Sequence, residues 1–282
     1  MTRLIVNADD FGLTRGVNRA IVELHQAGVL TSTTLMAKAI ATDEAIELAE
    51  RNPALGVGCH VVLVDGSPEL EAAQLPGLAD QQTGEFHPKL GGFLKRLLTG
   101  RIPAIEIERE AAAQIAKLQA KGIKLTHVDA HKHTHMFPAV LRPLLRAAKK
   151  AGIRVVRNPF EPAWSIRATP GAPLVRRMEV IVLRQLERHF LRIVKEEGFS
   201  TTEGSLGVLA TGTLDSATVE ALLQAAPENA CYELVAHPGY NDADLAKVRT
   251  RLLASRELEG QALLSVAKAK KVELISFAAL RK

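Results

Sequence analysis

Leu4-Ile5-Val6-Asn7-Ala8-Asp9-Asp10-Phe11-Gly12 is the stretch on which the reading of this chain turns, an apolar β-branched run that ends in two adjacent carboxylates. Adjacent acids are common in turns, where they cap a helix or bind nearby backbone. At the end of an apolar strand they read instead as chemistry, because the carboxyl ends of parallel strands are where α/β active sites are built. One carboxylate is then free to face a cation, and its neighbour to face the water that the cation activates.

Outward from this first candidate strand (Arg3 to Ala8), the same pattern recurs at Ser32 to Lys38, Leu55 to Leu63, Lys124 to Asp129, Ile153 to Asn158, Ser205 to Leu209, Glu233 to His237 and Glu273 to Phe277. Amphipathic stretches lie between them. Val17, Ala20, Ile21 and Leu24 share a face before Gly28, as do Ile107, Ala111, Ile115 and Leu118 before Gly122, and Leu141, Leu144, Leu145 and Ala148 before Gly152. Strands alternating with packing helices predict an α/β fold, and about eight of them predict a TIM-like (β/α) barrel, regular or distorted, with residues 1–282 as a single domain. Two insertions, 65–101 and 159–200, depart from the alternation and are expected to build the substrate pocket. The second contains LVRRMEVIVLRQLERHFLRIVKEE, Leu174 to Glu197, which predicts one long helix: either packed on the barrel with a solvated basic face, or a lid or peripheral membrane contact.

With 282 residues and 47% apolar content, the chain can fill one sizeable core. Two cysteines, Cys59 and Cys231, make neither a disulfide framework nor a thiolate zinc site. Without a leader or an apolar run of bilayer length, a cytoplasmic protein is expected, at most peripheral at the inner face of the membrane. Net charge is +5, but the basic residues are scattered except between Arg176 and Lys195, and aromatics make up only 4%; no nucleic-acid partner is expected. A homo-oligomer is compatible with the sequence.

His60 interrupts the run from Val57 to Leu63 and reads either as a satisfied core residue or as a ligand. Its neighbour Cys59 should face the other way and pack. The tract His127-Val128-Asp129-Ala130-His131-Lys132-His133-Thr134-His135 holds four of the chain's nine histidines. Alternation puts His127, Asp129 and His131 on one face while the strand lasts. Such a tract supplies one or two metal ligands, with the remaining groups, among them His131 and His133, orienting the ligands or touching substrate. His237 ends another strand, followed by Pro238-Gly239-Tyr240; it is a candidate general acid, and Tyr240 a candidate substrate contact. Arg157 either orients Asp9 and stabilises negative charge or forms a structural ion pair.

Taken together, N-A-D-D-F-G, Thr31 to Thr34, Gly58-x-His60, Thr126 to Pro138 and His237 to Tyr240 resemble the YdjC-like family of carbohydrate deacetylases, across nearly the whole chain. Within the family the chain looks most similar to the HpnK-like hopanoid-biosynthesis branch, which implies an N-acetylglucosaminyl hopanoid as substrate. The resemblance implies a barrel-like fold, a metal site of Asp10, His60 and His127, and Asp9 as catalytic base. It admits magnesium or a transition metal, and two imidazoles with one carboxylate favour zinc. A chitooligosaccharide deacetylase, a two-metal phosphoesterase and a non-catalytic carbohydrate- or lipid-binding protein are the competing readings.

Overall fold

Thr2–Phe11 forms the first strand, β1, in which every position but Arg3 is buried. Its neighbours explain why. In this computed structural model, which describes residues 1–248, 252, 254–269 and 272–281, β1 is followed by α1 (Arg15–Gln26), β2 (Ser32–Leu35), α2 (Thr42–Arg51) and β3 (Gly56–Val61). Then come α3 (Leu90–Leu98), α4 (Ala104–Ala120), β4 (Val128–Ala130) and α5 (Pro138–Lys150). The second half runs α6 (Ala163–Ala168), α7 (Leu174–Leu183), α8 (Glu187–Glu196), β5 (Ser205–Leu206), α9 (Ser216–Ala225), β6 (Cys231–Ala236), α10 (Arg256–Leu263) and β7 (Val272–Leu274). All strand pairings are parallel, in the order β4-β3-β2-β1-β6-β5, with β7 against the start of β1.

The sheet curls into a distorted TIM-like barrel. Between β4 and β5 the expected strand at 153–158 is reduced to single bridges, Val128 to Val156 and Val155 to Ser200, because side chains take over part of the ladder there. Ser205 Oγ donates to the Asn158 carbonyl at 2.6 Å, and Asn158 Oδ1 accepts from the Phe160 N–H at 3.2 Å. The packing stripes of α1, α4 and α5 are buried as their spacing predicts.

At the lower end of the barrel, Phe277 stacks on His127 with ring centroids 3.8 Å apart. Gly58 is what makes room for that histidine, since a Cβ there would come within 2.5 Å of its ring.

The 65–101 insertion is fastened to α4 by buried polar side chains one turn apart. Glu106 accepts from the Leu78 N–H at 2.8 Å, Glu110 from the Glu69 N–H at 2.7 Å, and Gln114 holds both backbone groups of Val62. Backbone that leaves the sheet must find such partners when it is buried.

The single helix expected from Leu174 to Glu197 is a correction. A 3₁₀ turn at Arg184–Leu186 splits it, because its two halves rest on different supports. α7 packs through Val180 on Ile166 and Leu209, whereas α8 packs through Phe190, Ile193 and Val194 on the main core.

Candidate active site

A regular strand would send Asp9 and Asp10 to opposite faces. Here the β1–β2 register shifts between Ala8 and Phe11, and Asp10 adopts φ 66°, a left-handed conformation that Asp tolerates better than most residues. Both carboxylates consequently face the barrel mouth. Left-handed backbone at a residue with a side chain costs roughly 1–3 kcal/mol and persists where the surroundings over-determine it.

Around Asp10 gather His60 from the end of β3 and His131 from the turn after β4. Asp10 Oδ1 lies 3.6 Å from His60 Nε2 and 3.5 Å from His131 Nδ1, and the two ring nitrogens are 3.2 Å apart. The backbone after His131 is again left-handed, at Lys132 (φ 53°) and His133 (φ 52°). His60 presents its Nε2 because its Nδ1 is held by Asp129 Oδ1 at 2.8 Å, an outer-shell arrangement that fixes which nitrogen carries the proton. The expected third member, His127, is not brought to this group. It lies lower in the barrel against Phe277, with Nδ1 2.8 Å from Thr126 Oγ1. Alternation does put His127 and Asp129 on the same face, but His127 stands nearer the foot of its strand.

These donors fit a divalent cation. Ligand bonds of about 2.0–2.1 Å at tetrahedral angles put neighbouring donor atoms roughly 3.3 Å apart, close to the three separations found. Charge points the same way: the carboxylates of Asp9, Asp10, Asp129, Glu233 and Glu259 are all buried, against the buried guanidinium groups of Arg157 and Arg256. A second possible group, Asp9, His60 and Asp129, reuses His60, so the described residues hold no independent second ligand set for a two-metal site.

Asp9 is clamped. Arg157 Nη1 and Nη2 donate to its two oxygens at 2.9 and 2.5 Å, and Asn7 and Thr34 donate at 3.1 and 3.2 Å. Burial alone would raise this carboxyl, but Arg157, helped by His60 and His237, holds Asp9 well below the usual carboxylate range. Arg157 also meets Asp129 at 2.5 Å and Glu233 at 2.7 Å. Burial pushes Glu233 up to about 7 in spite of that contact. Burial would likewise lower His60, but Asp129 and the other carboxylates raise it to about 9.

From the end of β6, the strand that pairs with β1, His237 Nε2 lies 3.7 Å from Asp9 Oδ2. Its other nitrogen is 3.3 Å from Glu259 Oε2, which also accepts the His237 N–H at 2.6 Å. Burial depresses the imidazole, yet the Glu259 hydrogen bond and charge raise it overall. Glu259 comes from α10, as does Arg256, whose Nη2 donates to Asp10 Oδ2 at 2.6 Å. Burial raises Asp10, but Arg256, His131 and His60 together hold it well below the usual carboxylate range.

Neither α10 residue is visible to periodicity. The one signal is an Arg and a Glu three positions apart, on a single helical face, in Arg256-Glu257-Leu258-Glu259.

The other expected contacts divide. Burial lowers His133 to about 3, so it faces the mouth neutral, and its Nδ1 has no hydrogen-bond partner among the described residues. His135 Nδ1 instead accepts the Ala130 N–H at 3.1 Å. Tyr240 points away from the mouth: its hydroxyl donates to Glu23 at 2.5 Å, Arg19 lies over its ring at 4.2 Å, and it lines an outer groove of about 380 Å³. Cys59 is buried, which pushes its thiol pKa up and leaves it a packing residue.

The family profile described as YdjC-like protein matches residues 3–273. A protein of Brevibacillus brevis named carbohydrate deacetylase is 35% identical over 290 residues, 99% of each chain. A chitooligosaccharide deacetylase of Salmonella typhimurium is 38% identical over 60% of this chain and 66% of its own length. Among solved structures, one from Enterococcus faecalis, provisionally described as a cellobiose-phosphate cleavage protein, covers 100% of this chain and 99% of its own at TM-score 0.82 and 25% identity. A lactam utilization protein of Thermus thermophilus, at TM-score 0.54 and 15% identity, covers 97% of this chain and 99% of its own and shares the fold alone.

Proposed function

Because this chain belongs to the YdjC-like family, with relatives named as deacetylases of carbohydrates and chitooligosaccharides, we propose that it is a metal-dependent hydrolase that removes the acetyl group from an N-acetylated sugar. The observation that carries this reading is the triangle of Asp10, His60 and His131 beside Asp9 and His237. His131 replaces His127 as the third ligand we assign.

An amide resists hydrolysis because its carbonyl is a weak electrophile and its amine a poor leaving group. A divalent cation at Asp10, His60 and His131 would polarise the acetyl oxygen and acidify water, and two nitrogen donors with one oxygen favour zinc over magnesium. Asp9, kept ionised by Arg157, accepts the proton of the attacking water at a carboxylate oxygen. His237, kept protonated by Glu259, delivers a proton to the departing nitrogen. Asp129 fixes the His60 ring, while Arg256 fixes Asp10. Neutral His133 offers a substrate contact from the far rim.

Two forms of substrate follow. The relatives' names favour a soluble chitooligosaccharide, whereas the resemblance to the HpnK-like branch favours an N-acetylglucosaminyl hopanoid; acetate release from each, measured separately, decides between them.

The assignment itself is tested by comparing His131→Ala with His127→Ala. Elemental analysis should find the metal lost in the first and kept in the second. In the same series Asp9→Asn should keep the metal and lower kcat by roughly a hundredfold or more. A full equivalent of metal in His131→Ala overturns the ligand set, and near-normal turnover in Asp9→Asn overturns the base.

A further inference from the structure

α7 carries an apolar stripe that none of the described residues covers. Leu174 (79% exposed), Val175 (74%), Met178 (58%), Ile181 (39%) and Val182 (61%) recur at the spacing that puts them on one helical face. Five such side chains expose on the order of 500 Å², the size at which an apolar patch marks a contact site. The helix cannot simply roll over to bury them. Its opposite face is already engaged: Val180 packs on Ile166 and Leu209, and Arg177 donates to the carbonyls of Ile166 at 2.8 Å and Thr169 at 3.1 Å. Arg176 donates to the Val208 carbonyl at 3.2 Å.

We propose that this outward face of α7 seats on an anionic bilayer surface. Size argues against a second copy as the occupant, because a stable dimer buries about 800 Å² on each partner and this stripe falls short. Charge argues for a bilayer. Along α8, which continues from α7 through the 3₁₀ turn, Arg188, Arg192 and Lys195 are exposed, against exposed Glu196 on α8 and Glu179 at the edge of the α7 stripe, a net basic flank of the kind that meets anionic headgroups beside an inserted apolar face.

The seat also has a useful position. The loop after β5 that supports α7 through Leu209 carries Gly212, whose N–H donates to Glu259 at 2.7 Å, and Glu259 holds His237. A bilayer under α7 therefore lies beside the mouth, where a lipid-linked N-acetyl sugar would be presented. The inference leans on the deacetylase reading only for that orientation, since the surface itself is read from exposure and charge.

The test is cosedimentation of the full chain, at low salt, with phosphatidylcholine vesicles with and without phosphatidylglycerol. No turnover is needed, so its failure is separate from failure of the enzymatic reading. The unmodified protein should bind the anionic vesicles and be released by salt. The double variant Val175→Glu with Val182→Glu should bind at least about tenfold more weakly, as two charges placed in the apolar face require. Arg188→Glu with Arg192→Glu should lose the preference for anionic lipid. Release of acetate from a soluble N-acetylchitooligosaccharide should be unchanged in both variants, because the four side chains are exposed and none belongs to the residues assigned to catalysis or metal binding. The proposal is overturned if the unmodified protein does not bind, or if the first variant binds equally well. It is also overturned if sedimentation shows a dimer that the Val175→Glu, Val182→Glu variant dissociates, which would give the face to a second copy.

Discussion

Asp10 and His60 stand at strand ends on one side of the mouth, and their polar partners come largely from neighbouring strands. His237 stands at the end of β6 on the other side, but it is held in place by a helix. On the first side Thr34 and Asp129 fix Asp9 and His60 from within the barrel ring, with Arg256 of α10 reaching over to Asp10; on the second, Glu259 of α10 holds His237. The strand ends carry the proposed cation ligands, whereas α10 steadies one of them, Asp10, and sets the charge beside His237. Changes in α10 should therefore alter function more than fold, and changes inside the ring should do both.

Arg157 is the strongest case within the ring, because it joins the two sides by contacting Asp9, Asp129 and Glu233. Arg157→Ala leaves these carboxylates buried without their counter-charge and should cost about 3–5 kcal/mol of stability, read by denaturant titration at neutral pH. The deficit should shrink as pH falls. Without the guanidinium, burial raises the folded pKa of each carboxyl above its unfolded value, so stability is retained in acid and lost as pH rises through the raised pKa. A loss under about 1 kcal/mol, or one independent of pH, would show that the ring does not depend on this residue.

How much of this was legible in the chain follows the same division. Residues 4–12 announced a buried strand ending in acids, and the apolar stripes announced the helices around it, because burial on a barrel imposes periods of two and 3.6 that a sequence displays directly. His60 and the His127–His135 tract stood out as polar groups where apolar ones belong. The choice of His131 over His127 as proposed ligand was not legible, since alternation does not show that the chain leaves the strand at His131, beside Asp10, while His127 stays at the strand's foot. The bulge at Asp10 was equally hidden: the sequence shows two acids, but not the register shift that aims both at one place. Arg256 and Glu259 escaped because a helix displays its apolar face by repetition, whereas its functional face here is a pair of ordinary surface residue types. The long helix at 174–197 failed for a related reason, as its apolar residues meet a support under α8 and none under the outer face of α7.

Arg256→Ala tests the α10 side at intermediate size. Asp10 would keep its place in the bulge but lose its 2.6 Å partner, leaving a buried carboxylate that burial pushes toward protonation. Metal affinity should fall about 10–100-fold, as for other losses of a group that orients a ligand, while stability changes less than in Arg157→Ala. Unchanged affinity in a direct metal titration would reduce Arg256 to a packing residue and erase the distinction between the two sides.

Glu259→Gln is the smallest and most specific test. Glu259 accepts the His237 N–H on one carboxylate oxygen and the Gly212 N–H on the other, so glutamine removes the charge and keeps an acceptor for only one of the two. Burial depresses His237, and Glu259 is the leading cause that raises it; without that charge the imidazole pKa must fall. A general acid works only while it holds its proton, so activity declines as pH rises through its pKa. The alkaline limb of the kcat profile should therefore move to lower pH. A displacement of about one pH unit would make the variant about tenfold slower on that limb while leaving it near the parent rate well below it. Should the whole profile drop uniformly instead, Glu259 positions the ring without tuning it; should the acid limb move in place of the alkaline one, His237 acts as a base and the roles assigned to it and Asp9 exchange.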